Sequence, residues 1–312
     1  MREIPEKTWH VIASTVRGGQ HIRNGLPNQD AVCWRQEKNG LPIVLALADG
    51  HGSTKYFRSD IGAHLAVTIT VETIWRLIHC DELLNPNDSF IEGFIKVVNP
   101  SQKPRYSMLK RLAEVELPRD LAQTWRQAVR THFEENPITP GELEKISKSE
   151  AKAIEINPEI AYGCTVLAAA VGKGYVLFAQ LGDGDILAVS GGEVIRPVPP
   201  DDRLFANETT SLCSAEAWRD FRIFFQVLTD KYPDLIMVST DGYANSFKDD
   251  ESFLQVAKDL LMIGKKEGLE SIEQNLPVWL SEASDQGSGD DITLGLIVCE
   301  RAIHKDPDRE AD

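Results

Sequence analysis

The stretch PIVLALADGHG, residues 42–52, combines an apolar run with an acidic, glycine-rich end. A short apolar run bounded by turn residues predicts a buried β-strand. An aspartate that ends such a strand, here Asp49, can bridge two cations through its two carboxylate oxygens. Gly50 leaves its backbone carbonyl free to approach a metal, and His51 lies near enough to donate a proton to a leaving oxygen. Taken alone, an Asp-Gly pair is more often a plain turn.

Further aspartates lie in loops of the same kind along the chain. They are Asp30 in PNQD (27–30), Asp241 in STDG (239–242), Asp290 in GSGDD (287–291) and Asp183 in GDGD (182–185). Carboxylates that converge at the mouths of buried strands can bind a hard divalent cation, and Mg²⁺ and Mn²⁺ prefer such oxygen ligands. For Asp183 a plain turn is an equally good interpretation. A site shared by the other loops requires one domain across nearly the whole chain.

The composition limits the classes of partner. The net charge of -15 and the pI near 5.0 argue against a protein that binds nucleic acid, which needs a basic face. The 5 cysteines are widely spaced, which is typical of reduced thiols in the cytosol. We see no signal peptide and no apolar stretch near the ~18 residues of a membrane span. We therefore expect a cytoplasmic protein that binds no membrane.

Apolar periodicity and turn residues predict a mixed fold. Strands are predicted at 9–16, 31–35, 42–48, 165–171, 175–180, 185–190, 193–198, 235–239 and 292–299. Helices are predicted at 60–79, 121–133, 252–262 and 269–283, and a surface helix or loose connection at 141–156. Prolines favour an irregular segment from 85 to 118, and 201–232 has no clear pattern. This order of elements predicts antiparallel sheets covered by helices.

Six motifs occur in the order and with the spacings of one known family. They are NQD (28–30), ADGHG (48–52), GCT (163–165), LGD (181–183), STDG (239–242) and GDDIT (289–293). Over roughly residues 9–299 the chain resembles the metal-dependent protein phosphatases of type 2C, and GLPNQD (25–30) is similar to the bacterial branch. Each motif alone is weak, whereas six in sequence are a strong indication.

The resemblance implies an α+β fold, a four-layer α/β/β/α sandwich with two central antiparallel sheets flanked by helices. It implies a single catalytic domain over 1–302, with a variable insertion at about 85–158, a flap-like region at about 201–232 and a polar tail at 303–312. The insertion could recognise substrates or partners, although a tolerated surface insertion is the simpler alternative. The aromatic residues of the flap-like region are expected to form its core.

By resemblance, the site holds two Mn²⁺ or Mg²⁺ ions. Asp49 would bridge both ions and the carbonyl of Gly50 would bind one, while Asp241 and Asp290 would complete the other ion's shell. Asp183 resembles the position that helps to hold a third, weaker ion.

The resemblance also implies the catalytic groups. Asp30 would lie beside the attacking water, and His51 would protonate the departing serine or threonine oxygen.

The chain departs from the family pattern at several positions. Gln29 replaces the usual glutamate, and it can still bind a water by a hydrogen bond. Gly25 stands where the family usually has an arginine that binds the substrate phosphate. His21 or Arg23 is a candidate replacement. That these two are ordinary solvated side chains is an equal alternative. Asp291 replaces an asparagine. Asn245 stands in place of a second aspartate, which predicts weak binding of a third ion.

Three functions agree with these residues. The first is a serine/threonine phosphatase acting on a phosphorylated protein, with a Ser/Thr kinase as a cognate partner. The second is a catalytically weak phosphatase-like module that binds a phosphoprotein or a kinase, which the missing arginine leaves open. The third is a two-metal phosphoesterase acting on nucleotides or small metabolites. Converging carboxylates favour catalysis, because a pure binding module has no need of groups that repel one another.

Overall fold

A computed structural model describes residues 9–38, 40–79, 103–201, 209–229 and 231–303. The strands of these residues are β1 Trp9–Val16, β2 Ala31–Gln36, β3 Ile43–Ala48, β4 Val166–Gly172, β5 Tyr175–Leu181, β6 Asp185–Ser190, β7 Glu193–Ile195, β8 Arg222–Val227, β9 Leu235–Ser239 and β10 Ile292–Cys299. The α-helices are α1 Gly19–Asn24, α2 Ser59–Ile78, α3 Lys103–Arg111, α4 Leu117–Glu135, α5 Pro140–Leu143, α6 Lys148–Ile156, α7 Asp241–Ala244, α8 Asp250–Glu267, α9 Leu269–Gln286 and α10 Glu300–Ile303.

The strands form two antiparallel sheets that pack face to face. The first sheet has the order β1-β10-β9-β6-β7, and the second has the order β2-β3-β4-β5-β8. Strands near the centre of each sheet are buried and mostly apolar along their whole length, because both of their faces are covered. All six residues of β3 and all eight of β10 are buried. The predicted four-layer sandwich is therefore confirmed.

Three apolar layers hold the sandwich together. One lies between the two sheets and includes Leu45, Phe178 and Ile297. A second lies between the β3-containing sheet and helices α2 and α4, and a third lies between the β10-containing sheet and helices α8 and α9. Most of the predicted strands and helices are confirmed to within a few residues, since their apolar periodicity matches the layer that each element covers.

Two segments differ from the sequence-based prediction. Residues 103–118 are helical instead of irregular, because Pro104 lies in the first turn of α3 and Pro118 follows the π-helical turn Leu112–Glu116, which interrupts the regular hydrogen-bond pattern. A proline in a first turn removes an N–H that has no intrahelical partner anyway. The unassigned segment 201–232 contains β8, an edge strand paired with β5. The aromatic residue Phe225 of β8 is buried, as expected for a core residue.

Helix α2 corrects a further expectation. It is 20 residues long with a mean hydropathy of 1.3, so by length and composition it could cross a membrane. Half of the apolar window is buried inside the protein, where α2 packs on β2, β3 and α4. The core helix of a globular domain passes the same test, so the composition of α2 is weak evidence for a membrane span.

The proposed domain limits lie partly outside the described residues. Residues 304–312 of the predicted tail 303–312 and residues 85–102 of the 85–158 segment belong to that part of the chain. From residue 103 onward the 85–158 segment forms α3 to α6, and α4 contributes the buried side chains Leu121, Trp125 and Val129 to the helical layer.

Candidate active site

The strand registers bring the aspartate loops to one end of the sandwich. Ala31, the first residue of β2, pairs with Ala48, the last residue of β3. Asp30 precedes β2 and Asp49 follows β3, so the two aspartates lie at the same end of neighbouring strands. In the other sheet, β9 ends at Ser239, which pairs with Leu294 near the start of β10. The loops after β9 and before β10 therefore lie together at one edge of that sheet.

Asp30 links the two sheets at this end. Its side chain is buried, with 2% of the residue exposed. The hydroxyl of Thr240 donates to Asp30 Oδ2 at 2.8 Å, and the hydroxyl of Thr293 donates to the same oxygen at 2.8 Å. Burial raises the pKa of Asp30 well above its ordinary value, and the two hydrogen bonds oppose this shift.

Asp49 and Asp241 form the centre of the carboxylate cluster. Hydrogen bonds of neighbouring residues bring their loops to Asp30 and Gln29: Thr240, next to Asp241, donates to Asp30 Oδ2 at 2.8 Å, and Gly50, next to Asp49, donates to Gln29 O at 3.1 Å. Burial raises the pKa of Asp49 well above its ordinary value, and the charges of Asp30 and Asp241 raise it further. Asn245 donates to Asp241 Oδ2 at 3.0 Å. Carboxylates grouped in a buried place repel one another, and a proton or a cation among them offsets that cost.

The ADGHG loop is held tightly by its backbone. Gly50 N–H donates to Gln29 O at 3.1 Å, and a Cβ at Gly50 would lie 2.6 Å from that oxygen, so no side chain fits there. The ring of His51 packs against Tyr56 with 4.7 Å between ring centroids. Burial, with a smaller effect of the charge on Lys55, lowers the pKa of His51 to about 4.

Asp291 is the hydrogen-bonding centre of the neighbouring loop. It is 3% exposed, and its carboxylate accepts the N–H groups of Gly18 and Gln29, each at 2.6 Å. The Nδ1 atom of His21 lies 2.7 Å from Asp291 Oδ2, and this contact raises the pKa of His21. The side chain of Asp290 is 54% exposed, and its Oδ1 lies 3.9 Å from His21 Nε2. Asp290 is therefore the accessible member of the pair.

The two phosphate-binding candidates differ in environment. His21 is buried and bonded to Asp291, which gives it a structural partner beside the cluster. Arg23 is exposed on α1, near Gly19. Their roles at the phosphate stay predictions.

Asp183 lies where the chain crosses from β5 to β6, that is from one sheet to the other. Its side chain is exposed, yet the surrounding protein raises its pKa to about 6, mainly by desolvation, with the charge of Asp241 adding to the effect. Asp183 therefore lies within electrostatic reach of the cluster. Its role with a third ion stays a prediction.

The chemistry of the donors suits a partly hydrated divalent cation. Within the described part of the chain, no three His, Cys, Asp or Glu side chains are arranged to hold one ion by themselves. Mg²⁺ commonly uses one or two carboxylates and keeps several waters. Gln29 donates to Ser59 Oγ at 2.6 Å, while its buried Oε1 has no hydrogen-bond partner among these residues. A water at the cluster would satisfy that oxygen, so Asp49, Asp241 and Gln29 fit such an ion.

Sequence reasoning missed several supporting residues. Thr240 and Thr293 were part of the quoted motifs without an assigned role, although a hydroxyl beside each aspartate was a usable signal. The hub role of Asp291 had no local signal, because its partners are about 260 to 270 positions away in sequence.

Comparisons with known proteins identify the family and the fold. The sequence profile described as protein phosphatase 2C matches residues 17–281. No curated protein matches the chain by sequence. The catalytic domain of the serine/threonine phosphatase PstP, solved in complex with two manganese ions, has a TM-score of 0.52 and 16% identity, covering 93% of this chain and 98% of that one.

Two further bacterial structures share the fold. Serine/threonine phosphatase Stp1 from Staphylococcus aureus has a TM-score of 0.52 and 15% identity, covering 96% of this chain and 99% of that one. The S. agalactiae serine/threonine phosphatase has a TM-score of 0.51 and 17% identity, covering 94% and 100%. Identities this low show a common fold. Because the family profile spans most of the sequence and this fold agrees with it, the chain belongs to the protein phosphatase 2C family.

Proposed function

We propose that this protein is a metal-dependent phosphatase that hydrolyses phosphoserine and phosphothreonine in proteins. The observation that carries the proposal is the meeting of three aspartate loops around the buried Asp30. The hydroxyl of Thr240, next to Asp241, donates to Asp30 at 2.8 Å, and the N–H of Gly50, next to Asp49, donates to Gln29 O at 3.1 Å. Charges of one sign are kept this close at a cost, and a bound divalent cation offsets that cost. Membership of the phosphatase family supports the same reaction class.

Mn²⁺ or Mg²⁺ is the proposed metal, with two ions per site and a third, weaker one. Asp49, the carbonyl of Gly50, Asp241 and Asp290 would hold the two ions, and Asp183 would help to hold the third. When bound, a pair of such ions lowers the pKa of a shared water and orients it for in-line attack on phosphorus.

The remaining steps fall to the chain's own side chains. Asp30, fixed by Thr240 and Thr293, would receive the proton of the attacking water, a role that suits its raised pKa. His51 would donate a proton to the departing serine or threonine oxygen. The lowered pKa of His51 makes its ring neutral at pH 7, so we propose that the negative charge of the substrate phosphate raises this pKa on binding.

The proposed partners are a phosphorylated protein substrate and the Ser/Thr kinase that phosphorylates it. The cytoplasm is the proposed location, on the basis of the widely spaced cysteines. The exposed Arg23 and the bonded His21 leave the phosphate grip unassigned, which is the feature that favours the alternative of a weakly catalytic phosphoprotein-binding module.

Hydrolysis of a phosphothreonine peptide with and without Mn²⁺ tests the proposal. We expect Mn²⁺-dependent turnover that falls roughly a thousandfold in Asp49→Asn, because that carboxylate holds the metal pair. Mn²⁺ should also raise the melting temperature of the wild type but not of the variant. Asp259→Asn, the same change at an exposed position of α8, is the control and should keep full activity. Folded wild type that shows no turnover with either metal would leave only the binding module.

A further inference from the structure

A positively charged groove lies outside the carboxylate site. It has a volume of about 440 Å³ and lies between α4 and residues 215–218. Its charged and polar lining consists of Arg119, Gln123, Arg126, Gln127 and Arg130, with Trp218 opposite. These residues of α4 recur at roughly the 3.6-residue period of one helix face. Three arginines on one face are notable in a chain whose net charge is -15.

Only part of this positive charge is neutralised inside the protein. The side chain of Glu159 is 3% exposed. Its carboxylate accepts a hydrogen bond from Arg130 Nε at 2.8 Å and lies 3.6 Å from Arg126 Nε. One carboxylate therefore serves two guanidinium groups. Arg126 also donates from Nη2 to Ser214 O, while its buried Nε makes no hydrogen bond in the described residues. This network holds the Arg126 side chain in place. The Arg130 side chain is 61% exposed, so its other N–H donors are accessible from solvent.

Trp218 forms the second wall and is flanked by Arg119 and by one further arginine, Arg219. The guanidinium carbons of Arg119 and Arg219 lie 4.6 Å and 5.0 Å from the Trp218 ring centroid. Arg219 also pairs with the exposed Glu216 at 2.9 Å. Arg119 has no carboxylate partner in the part of the chain that the structure describes. Stacked guanidinium groups keep their in-plane donors available for carboxylate oxygens.

The groove is close to the catalytic end of the sandwich. Leu212 N–H donates to Cys164 O at 3.0 Å, and Cys164 forms a β-bridge with Gly50 of the ADGHG loop. Ala215, which lines the groove, is only a few residues further along the chain. An extended chain spans at most about 3.6 Å per residue, so the three residues from Leu212 to Ala215 place the groove within about 11 Å of Leu212. An extended peptide could therefore reach both places.

We propose that this groove binds an acidic segment of the phosphoprotein substrate, next to the phosphorylated residue. The inference rests on the proposed function, because it assigns a second contact to the same substrate. Charge complementarity identifies the occupant. Glu159 pairs with Arg126 and Arg130, and Glu216 pairs with Arg219, so two carboxylates serve three of the four arginines and Arg119 is left over. Aspartate or glutamate side chains of a peptide fit the remaining guanidinium donors. Elsewhere the acidic protein repels such a segment, which directs it to this groove.

Binding and turnover are measured separately on two variants. The binding probe is a fluorescent peptide with alanine at the phosphorylation position and glutamates around it, compared by anisotropy with a glutamine-flanked peptide. Arg119→Glu reverses a groove charge, and Lys266→Glu makes the same change of charge at an exposed position of α8, on the other sheet's side. We expect Arg119→Glu to weaken binding of the glutamate peptide about tenfold and Lys266→Glu to change it little.

Turnover of the glutamate-flanked phosphothreonine peptide gives the second readout. Arg119→Glu should raise KM about tenfold with kcat unchanged, and it should leave hydrolysis of a small aryl phosphate unaltered, since that substrate does not reach the groove. Equal affinity for the two binding peptides, or equal effects of the two variants, would overturn the proposal. Binding that follows Arg119 without hydrolysis of any phosphopeptide would refute the phosphatase function and leave the groove standing.

Discussion

At the scale of single residues, the carboxylates of the site depend on neighbours that hold them in place. Asp30 is fixed by two threonine hydroxyls, and Asp241 receives an N–H from Asn245. Asp291, adjacent to the predicted ligand Asp290, accepts backbone N–H groups from the first loop and contacts His21. The replacement of the family's usual asparagine by Asp291 thus accompanies a histidine partner, and the pair joins the first and last loops of the site.

The predicted role of His51 can be tested through the leaving group. We expect His51→Asn to lower kcat for a phosphothreonine peptide about a hundredfold, because an alkoxide departs slowly without a proton. For an aryl phosphate the fall should be small, since a phenolate of low basicity departs unprotonated. His64→Asn, at an exposed position of α2, is the control. Steady-state kinetics measures kcat for both substrates. An equal fall in kcat for the peptide and for the aryl phosphate would refute the proton-donor role.

At the scale of elements, Arg58 joins the start of α2 to the helices that follow it. Its guanidinium donates to Glu142 at 2.8 and 3.1 Å, to the carbonyl of Asn136 at 2.6 Å and to the hydroxyl of Tyr162 at 2.7 Å. The Arg58 hydrogen bond lowers the pKa of Glu142 from 4.5 to about 2. This buried arginine therefore ties α2, α4 and α5 together.

The Arg58–Glu142 pair makes stability depend on pH. Because the folded-state pKa of Glu142 is depressed, its contribution is complete above the unfolded value of 4.5 and disappears as the pH falls toward about 2. We expect Glu142→Gln to reduce the free energy of unfolding at pH 7 by about 1–3 kcal/mol, with the difference from wild type shrinking between about pH 5 and pH 2. Glutamine retains an oxygen for the capping box with Thr139, so the change removes the charge and the acceptor of Arg58 Nε while the cap remains.

Urea unfolding at several pH values measures this effect. Glu144→Gln, an exposed change in the same segment, serves as the control and should behave as wild type. A destabilisation by Glu142→Gln that is the same at pH 3 and pH 7 would contradict the charged pair as its cause.

At the scale of the whole molecule, the two sheets pack together through one apolar layer, to which both sheets contribute side chains. Gly295 of β10 faces Leu45 of β3, and a Cβ at Gly295 would lie 2.6 Å from Leu45 Cδ2. This close approach of a glycine backbone to a large side chain sets the separation of the sheets at that point. Since Asp30 and Asp49 lie on one sheet and Asp241 and Asp290 on the other, the same packing positions the site.

A double-mutant cycle tests this shared layer. Gly295→Ala should cost about 1–3 kcal/mol by overpacking, and Leu45→Ala should cost about 2–5 kcal/mol by leaving a cavity. Together they should cost at least about 0.5 kcal/mol less than the sum, because the new methyl group occupies the space left by Leu45. Leu276→Ala, in the layer under α9, should be additive with Gly295→Ala. Strict additivity of the Leu45 pair in urea unfolding would contradict the predicted contact.

The sequence by itself determined the strands, the main helices and the loops that carry the aspartates. Apolar runs of strand length bounded by glycine and aspartate are local signals, and β3 with its ADGHG end is the clearest case. The family resemblance also rests on these short motifs, because each of them is a local run of residues. The helical content of 103–118 and the strand β8 lacked such a signal, since prolines in first turns and a part-exposed edge strand weaken the periodic pattern.

Only the tertiary structure decided which side chains meet. The bonds from Thr240 and Thr293 to Asp30, the partners of Asp291 and the packing of Trp218 against Arg119 each join positions far apart in the chain. Such contacts depend on strand register and on the packing of layers, and neither is encoded in a local pattern. The physical reason is that hydrogen bonds and charges act over a few ångströms, so their partners are defined only once the chain has folded.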